Sequence, residues 1–185
     1  MSSSQTPSSV ESPADARAEE FVDIVLIARP RHELYAFWRD FSNLPKFMEK
    51  VRQVTEVDSL SSIWTVAESG GNSADWEFLV TDDETDRLIA WSASGHTPVK
   101  YSGRVEFKDA PSPGVSGSAP ATEVTATLRY EAPSGLIESL ILRMAGTPGT
   151  ADDPTAQTRS DLLRFKELME GGRLDEGRAL MDARK

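Results

Sequence analysis

The chain has 185 residues, of which 38% are hydrophobic, and this supplies enough apolar side chains for the core of one domain. Its 20 Lys and Arg against 30 Asp and Glu give a formal net charge of -10, which argues against a nucleic-acid partner because nucleic-acid-binding proteins neutralise phosphates with basic residues. The chain has no cysteine, so disulfides, thiolate zinc sites, iron–sulfur clusters and a cysteine nucleophile are excluded. The two histidines, His32 and His96, lie far apart without metal-ligand spacing, and we expect neither a metal nor a cofactor.

Residues 1–20 are rich in Ser, Pro, Ala and Glu and contain almost no large apolar side chain, which predicts a disordered leader. The leader is more acidic than basic and lacks an apolar run, so it does not read as a signal peptide. No segment approaches the ~20 apolar residues of a membrane span. We therefore expect a soluble, cytoplasmic protein without stable membrane insertion.

The first predicted elements are a strand and two short helices. Residues 21–28 form a β-branched run that ends before Pro30, where a helix can begin. Two sets of apolar residues then follow at helical spacing, the second after a cap at Asn43. The two sets are Leu34, Phe37, Trp38 and Phe41, and Leu44, Phe47, Met48 and Val51.

Between residues 51 and 130 the apolar residues alternate with polar ones, which is the period of a strand. The runs lie near residues 51–58, 62–68, 75–82, 87–94, 100–108 and 122–131. Most are joined by short turn-forming segments, and short connections favour antiparallel neighbours because a parallel crossover needs about a dozen residues. The sequence predicts a six-stranded meander, with residues 21–28 as a seventh strand.

Helical periodicity returns after Tyr130. One apolar stripe falls within residues 136–145, and a second predicts a helix over residues 154–170 that ends at Gly171 and Gly172. The stripe of the last helix consists of Leu162, Phe165 and Met169. Residues 172–185 are charged and predict a polar tail.

Alternation places many aromatic side chains on one face of the predicted sheet. They are Trp64, Trp76, Phe78, Trp91, Tyr101, Phe107 and Tyr130. Two interpretations remain open: the aromatic face is simply core, or it lines a hydrophobic pocket with the tyrosine hydroxyls as its polar groups. Under the second interpretation Gly103 lies on the lining, so that Gly103→Leu should weaken binding more than stability.

Several separated segments resemble one family in the same order. They are IARPRHELYAFWRDFSNLPKFMEKV, DWEFLVTDDETDRLIAWSAS, YSGRVEFKDAP, TEVTATLRYEAPSG and SDLLRFKELMEGG. They resemble the SRPBCC, or START-like, superfamily, and within it the polyketide cyclase/dehydrase and coenzyme Q-binding branch. The resemblance implies an α+β helix-grip domain over residues 21–171, in which a curved seven-stranded antiparallel sheet surrounds a long C-terminal helix.

The resemblance also implies a soluble bacterial protein that binds a hydrophobic small molecule between the sheet and the C-terminal helix. Leu162 and Phe165 would close the cavity, and the ligand would be a lipid, an isoprenoid quinone or a polyketide-like molecule. The alternative is an aromatase/cyclase-type enzyme, although no catalytic residue can be carried over from that family. An Arg or His beside Tyr101 or Tyr130 would favour the enzyme, and a lining that is apolar apart from one or two hydroxyls would favour the carrier.

Overall fold

The computed structural model describes residues 16–68, 71–94, 100–111, 120–133 and 154–182. The strands are β1 (Ala16–Ile27), β2 (Val51–Glu56), β3 (Ser61–Ala67), β4 (Ser73–Glu84), β5 (Leu88–Ala93), β6 (Lys100–Ala110) and β7 (Ala121–Pro133). Helix α1 (Arg31–Arg39) and a 3-10 helix (Phe41–Lys46) follow β1, and helix α2 (Pro154–Asp182) comes last. The helical stripe predicted within residues 136–145 lies outside the described residues.

The seven strands form one antiparallel sheet in the order β1-β7-β6-β5-β4-β3-β2. Strands β2 to β7 are consecutive neighbours, and β1 pairs with β7. This confirms the predicted meander, the seventh strand and the α+β helix-grip class. The register shifts within β2 and β4, as expected of bulges that bend a sheet.

The helical segment after α1 differs from the prediction. The sequence predicts a helix capped by Asn43, but the structure has a 3-10 helix whose first turn is capped by the Asp40 carboxylate, which accepts from the Ser42 backbone N–H. Asn43 instead donates from Nδ2 to the Phe37 carbonyl at 3.0 Å. Pro45 lies inside the segment, and because the residue before a proline is disfavoured in the α conformation, a regular α-helix is hard to form here.

Two element ends also differ from their predicted positions. Strand β1 begins at Ala16 rather than at residue 21, because residues 16–20 pair with residues 129–133 of β7. Backbone pairing of this kind needs no apolar side chain, so the composition of the segment did not reveal it. Helix α2 continues past Gly171 and Gly172 to Asp182, since a glycine weakens a helix by only about 1 kcal/mol and does not have to end it.

The sheet and α2 enclose the core. Near its middle, α2 makes three hydrogen bonds to β1 and the residues after it. Lys166 Nζ donates to the Leu26 carbonyl at 2.6 Å, the Ala28 N–H donates to Glu170 Oε1 at 2.8 Å, and Arg29 Nε donates to the Met169 carbonyl at 2.8 Å. These bonds hold the middle of the helix, and its first turns lie near Tyr101 of β6 and Tyr130 of β7. Within the described residues, no helix is long and apolar enough to cross a membrane.

Candidate functional site

A cavity of about 80 Å³ lies between the inner face of the sheet and the first turns of α2. Most of its wall is apolar. The apolar and aromatic lining consists of Met48, Val51, Trp64, Val66, Phe78, Tyr101, Leu128 and Tyr130, and the polar lining consists of Lys50, Gln157, Thr158 and Asp161.

A second space of about 20 Å³ adjoins the first. The two spaces share Met48, Leu128, Thr158 and Asp161, and the smaller one reaches inward to Trp38, Trp91, Ala126 and Leu162. We call them the larger and the smaller compartment. Because Met48 and Leu128 belong to both walls, a movement of the flexible Met48 side chain would join them.

The predicted lining residues fall into three groups. Trp64, Phe78, Tyr101 and Tyr130 line the larger compartment, and Trp91 and Leu162 line the smaller one. Phe107, Phe165 and Trp76 line neither compartment. The structure therefore brings six of the nine predicted residues to the cavity wall, while their binding of a ligand stays a prediction.

Phe107 and Phe165 are completely buried in the aromatic core. The Phe165 ring lies 4.9 Å from the Phe47 ring and 5.0 Å from that of Trp38, and Phe107 packs edge-on against Tyr35 at 6.1 Å. Helix α1 and the 3-10 segment thus fill the space beside these two rings. Phe165 joins α2 to this cluster instead of closing a ligand cavity.

Gly103 does not line the internal cavity. A Cβ at this position would lie 2.3 Å from the Trp91 ring, which covers the glycine across the β5–β6 pair. Gly103 is therefore not one of the described lining residues, and Gly103→Leu is expected to lower stability because any side chain here must displace a buried indole. Glycine is needed at this position for the close approach of Trp91.

Tyr101 and Tyr130 lie directly opposite each other on β6 and β7, with ring centroids 4.8 Å apart and ring planes inclined at 46°. An interaction between the two hydroxyl groups contributes to their pKa shifts. Burial raises the pKa of both tyrosines well above the usual value, and the neighbouring charge of Asp161 contributes to the rise at Tyr101. Both hydroxyls are protonated across the physiological range and offer neutral polar groups to the cavity.

Asp161 is a site residue that the sequence analysis missed. Its side chain lies in both compartments and is only 11% exposed, and this burial raises the pKa of the carboxyl to about 6 against opposing hydrogen bonds from the Glu49 N–H and Gln157. A signal was present, because Thr158 and Asp161 lie seven and four residues before Phe165 on the predicted apolar stripe. Polar residues at core-facing helix positions indicate a polar patch inside.

Beside Asp161, α2 is joined to the segment between the 3-10 helix and β2. The Glu49 N–H donates to Asp161 Oδ1 at 3.1 Å, and the Arg164 guanidinium donates to the Glu49 carboxylate at 2.6 Å. The hydrogen bond from Arg164 holds the pKa of the Glu49 carboxyl below its usual value. Met48 and Lys50 flank Glu49, so this pair of contacts holds together two sides of the larger compartment.

The indole N–H groups of Trp38 and Trp91 are buried and have no hydrogen-bond partner among the described residues. Each such group typically costs about 1–3 kcal/mol. Trp91, in the wall of the smaller compartment, is held by aromatic packing, including its contact with Trp64 at 5.9 Å.

Within the described part of the chain, no three His, Asp or Glu side chains are grouped as metal ligands.

A family model described as "Polyketide cyclase / dehydrase and lipid transport" matches residues 27–148, more than half of the chain. The chain belongs to this family. A search of curated proteins gave no match. Membership and architecture together make this member of the polyketide cyclase/dehydrase and lipid transport family a hydrophobic-ligand-binding fold.

Solved structures agree with this assignment. The family member is 32% identical to DR_A0006 from Deinococcus radiodurans, covering 83% of this chain and 99% of that one with a TM-score of 0.62. It also superposes on truncated norcoclaurine synthase from Thalictrum flavum at 9% identity, covering 85% and 97% of the two chains with a TM-score of 0.57. The di-domain ARO/CYC BexL from the BE-7585A biosynthetic pathway is 14% identical, with 81% and 49% coverage and a TM-score of 0.52. The two likenesses of low identity show a common fold.

Proposed function

We propose that this protein binds a hydrophobic small molecule in the cavity between the sheet and α2, the candidates being a lipid, an isoprenoid quinone or a polyketide-like molecule. The observation that supports this most directly is the composition of the wall, in which aromatic and aliphatic side chains surround a few converging polar groups. Small-molecule sites usually have this composition. No Arg or His belongs to the described lining, so the feature expected to favour an acid-base enzyme is missing from these walls.

The cavity must widen to admit such a ligand. Its volume of about 80 Å³ is smaller than the ~150 Å³ that accommodates benzene in an engineered apolar cavity. Met48 is suited to act as the movable wall, because it separates the compartments and an unbranched methionine changes rotamer easily. Ligand entry past Met48 and Lys50, beside the first turns of α2, accounts for the polar groups being concentrated there.

Met48→Ala tests the proposal. Removing the side chain joins the compartments, and an apolar aromatic probe such as naphthalene should bind about tenfold tighter, since each buried methylene-sized volume that a ligand fills contributes ~0.8 kcal/mol. Quenching of tryptophan emission reports binding, because Trp64 and Trp91 lie in the walls. Extraction of the purified wild-type protein, followed by mass spectrometry, identifies any ligand retained from the cell.

Leu168→Ala is the control, because Leu168 lies on α2, is 40% exposed and belongs to the wall of neither compartment. This variant should bind the probe as the wild type does. If neither the wild type nor Met48→Ala binds any apolar probe, the hydrophobic cavity has no binding function and the proposal is rejected.

An aromatase/cyclase-type enzyme is the second candidate, and one observation favours it. Asp161, whose carboxyl pKa is about 6, lies close enough to Tyr101 for its charge to raise the pKa of the Tyr101 hydroxyl. A carboxyl that titrates near neutral pH can transfer protons to a bound substrate. Turnover of a polyketide-like substrate that is lost in Asp161→Asn, with binding retained, would support this candidate over carriage.

A further inference from the structure

The two carboxylate oxygens of Asp161 have different surroundings. Oδ1 accepts from the Glu49 N–H at 3.1 Å and from Gln157 Nε2 at 2.9 Å, and the Arg164 guanidinium lies 3.5 Å from it. Oδ2 has no hydrogen-bond partner among the residues that the structure describes. Asp161 as a whole is 8% exposed and lines both compartments.

Asp161 Oδ2 is not among the buried polar atoms that lack a partner, so in the empty protein it borders space that water can enter. A ligand donor that displaces this water makes a hydrogen bond to a charged group. The contacts of Oδ1 already hold α2 to the segment at Glu49, and a neutral amide could make the same contacts. The structural contacts of Oδ1 therefore do not explain why this residue is a carboxylate with a second oxygen, Oδ2, facing the cavity. Among the described lining residues, Asp161 is the only carboxylate, and it belongs to the walls of both compartments.

We propose that Asp161 Oδ2 accepts a hydrogen bond from a donor group on the bound ligand, a hydroxyl or a protonated amine. The inference rests on the proposed function and specifies the ligand: an apolar body with one donor group, such as an alcohol, a phenol, a quinol or an amine. A carboxylate-bearing ligand such as a fatty acid is disfavoured, because its charge would lie against that of Asp161. A quinone or an ether, which can only accept, leaves Oδ2 without a partner.

The charges around Asp161 are mixed. The segment before β2 contributes Glu49 and Lys50, α2 contributes Arg164, and β6 contributes the neutral phenol of Tyr101. Arg164 and Glu49 are paired with each other. Arg164 also lies 3.5 Å from Asp161 Oδ1, but its charge is shared with Glu49, so it offsets the charge of Asp161 only in part. Both a hydroxyl and an ammonium donor are therefore compatible with the site.

Four monosubstituted benzenes of similar size test the inference: benzyl alcohol, benzylamine, benzyl methyl ether and benzoate. Their dissociation constants are measured by NMR titration with the wild type, Asp161→Ala and Thr158→Val. In the wild type, the alcohol or the amine should bind about tenfold or more tightly than the ether, as expected of a hydrogen bond to a charged group, and benzoate should bind most weakly. Asp161→Ala should abolish the preference, whereas Thr158→Val, which removes a hydroxyl from the same walls, should retain it.

The ratio of donor to ether affinity is compared within each variant, so a general loss of packing in Asp161→Ala does not affect the result. Asp161→Asn provides a second, more conservative variant, in which the amine should lose its advantage because the charge is gone. Benzylamine binding that weakens between pH 7.5 and pH 5 more than that of benzyl alcohol identifies the ammonium as the preferred donor, and equal pH dependence identifies the hydroxyl.

Two negative results are distinguishable. If the ether binds the wild type as tightly as the alcohol and the amine, or if Asp161→Ala keeps the preference, the inference is overturned and the proposed hydrophobic cavity stands. If none of the four compounds and no apolar probe binds, the proposed function itself has failed.

Discussion

At the scale of single residues, Asp161 makes stability depend on pH. Its carboxyl has a pKa of about 6 in the folded protein, above the ordinary aspartate value of 3.8, because burial disfavours the charged form. This carboxyl therefore contributes most to stability below pH 4, and its contribution is lost as pH rises through about 6. Asp161→Asn, which resembles the protonated form, should gain up to about 3 kcal/mol relative to the wild type between pH 4 and pH 7.5.

Urea unfolding of both proteins at the two pH values measures this change, and groups common to both cancel in the difference. Thr158→Val is the control, since it alters the same walls without a titratable group and its free-energy difference from the wild type should not vary with pH. A free-energy difference between Asp161→Asn and the wild type that is the same at both pH values would contradict a raised pKa at Asp161.

At the scale of elements, α2 depends on the aromatic cluster that it shares with α1 and the 3-10 helix. Phe165 is fully buried there against Phe47 and Trp38. Phe165→Ala should lower the free energy of unfolding by roughly 3–5 kcal/mol, the usual cost of removing a buried aromatic ring. Chemical denaturation of the variant measures the loss.

Leu163→Ala is the matched control on the same helix, because Leu163 is 46% exposed. Its cost should stay below about 1 kcal/mol, as for most surface substitutions. If Phe165→Ala and Leu163→Ala lose the same free energy of unfolding, the face of α2 that carries Phe165 is not the face that packs on the core. A small loss in Phe165→Ala alone would mean that the ring borders empty space, as the sequence-based interpretation supposed.

At the scale of the whole molecule, the pairing of residues 16–20 with β7 extends the edge strand β1 alongside Tyr130. Glu19 lies opposite Tyr130 in the register, and Phe21 packs edge-on against the Tyr130 ring at 5.8 Å. We predict that a chain beginning at Ala16 melts at the temperature of the full chain, whereas a chain beginning at Phe21 melts several degrees lower. A loss of about 1 kcal/mol is enough for a shift of ~2–4 °C at this size.

Thermal melts of the three chains under one set of conditions make the comparison. If the chain beginning at Phe21 is as stable as the full chain, the extra strand pairs contribute nothing and the boundary predicted at residue 20 is adequate. If the chain beginning at Ala16 is already destabilised, the leader has a structural role that its composition does not predict.

The sequence by itself determined the succession of strands and helices and the side of each element that turns inward. Alternation placed Trp64, Phe78, Tyr101 and Tyr130 on the inner face of the sheet, and their burial or cavity contacts agree with that placement. Short connections implied the antiparallel meander. These features are local, because the period of apolar residues depends only on the geometry of the element that carries them.

Only the tertiary structure decided what each inward side chain meets. Phe107 and Phe165 meet α1 and residues near the 3-10 helix and become core, and Trp91 covers Gly103 while lining the smaller compartment. Asp161 becomes part of the candidate site because its turn of α2 faces the larger compartment across from the sheet. Periodicity gives the direction of a side chain from its own backbone, but the space that remains for a ligand depends on how elements distant in sequence pack together.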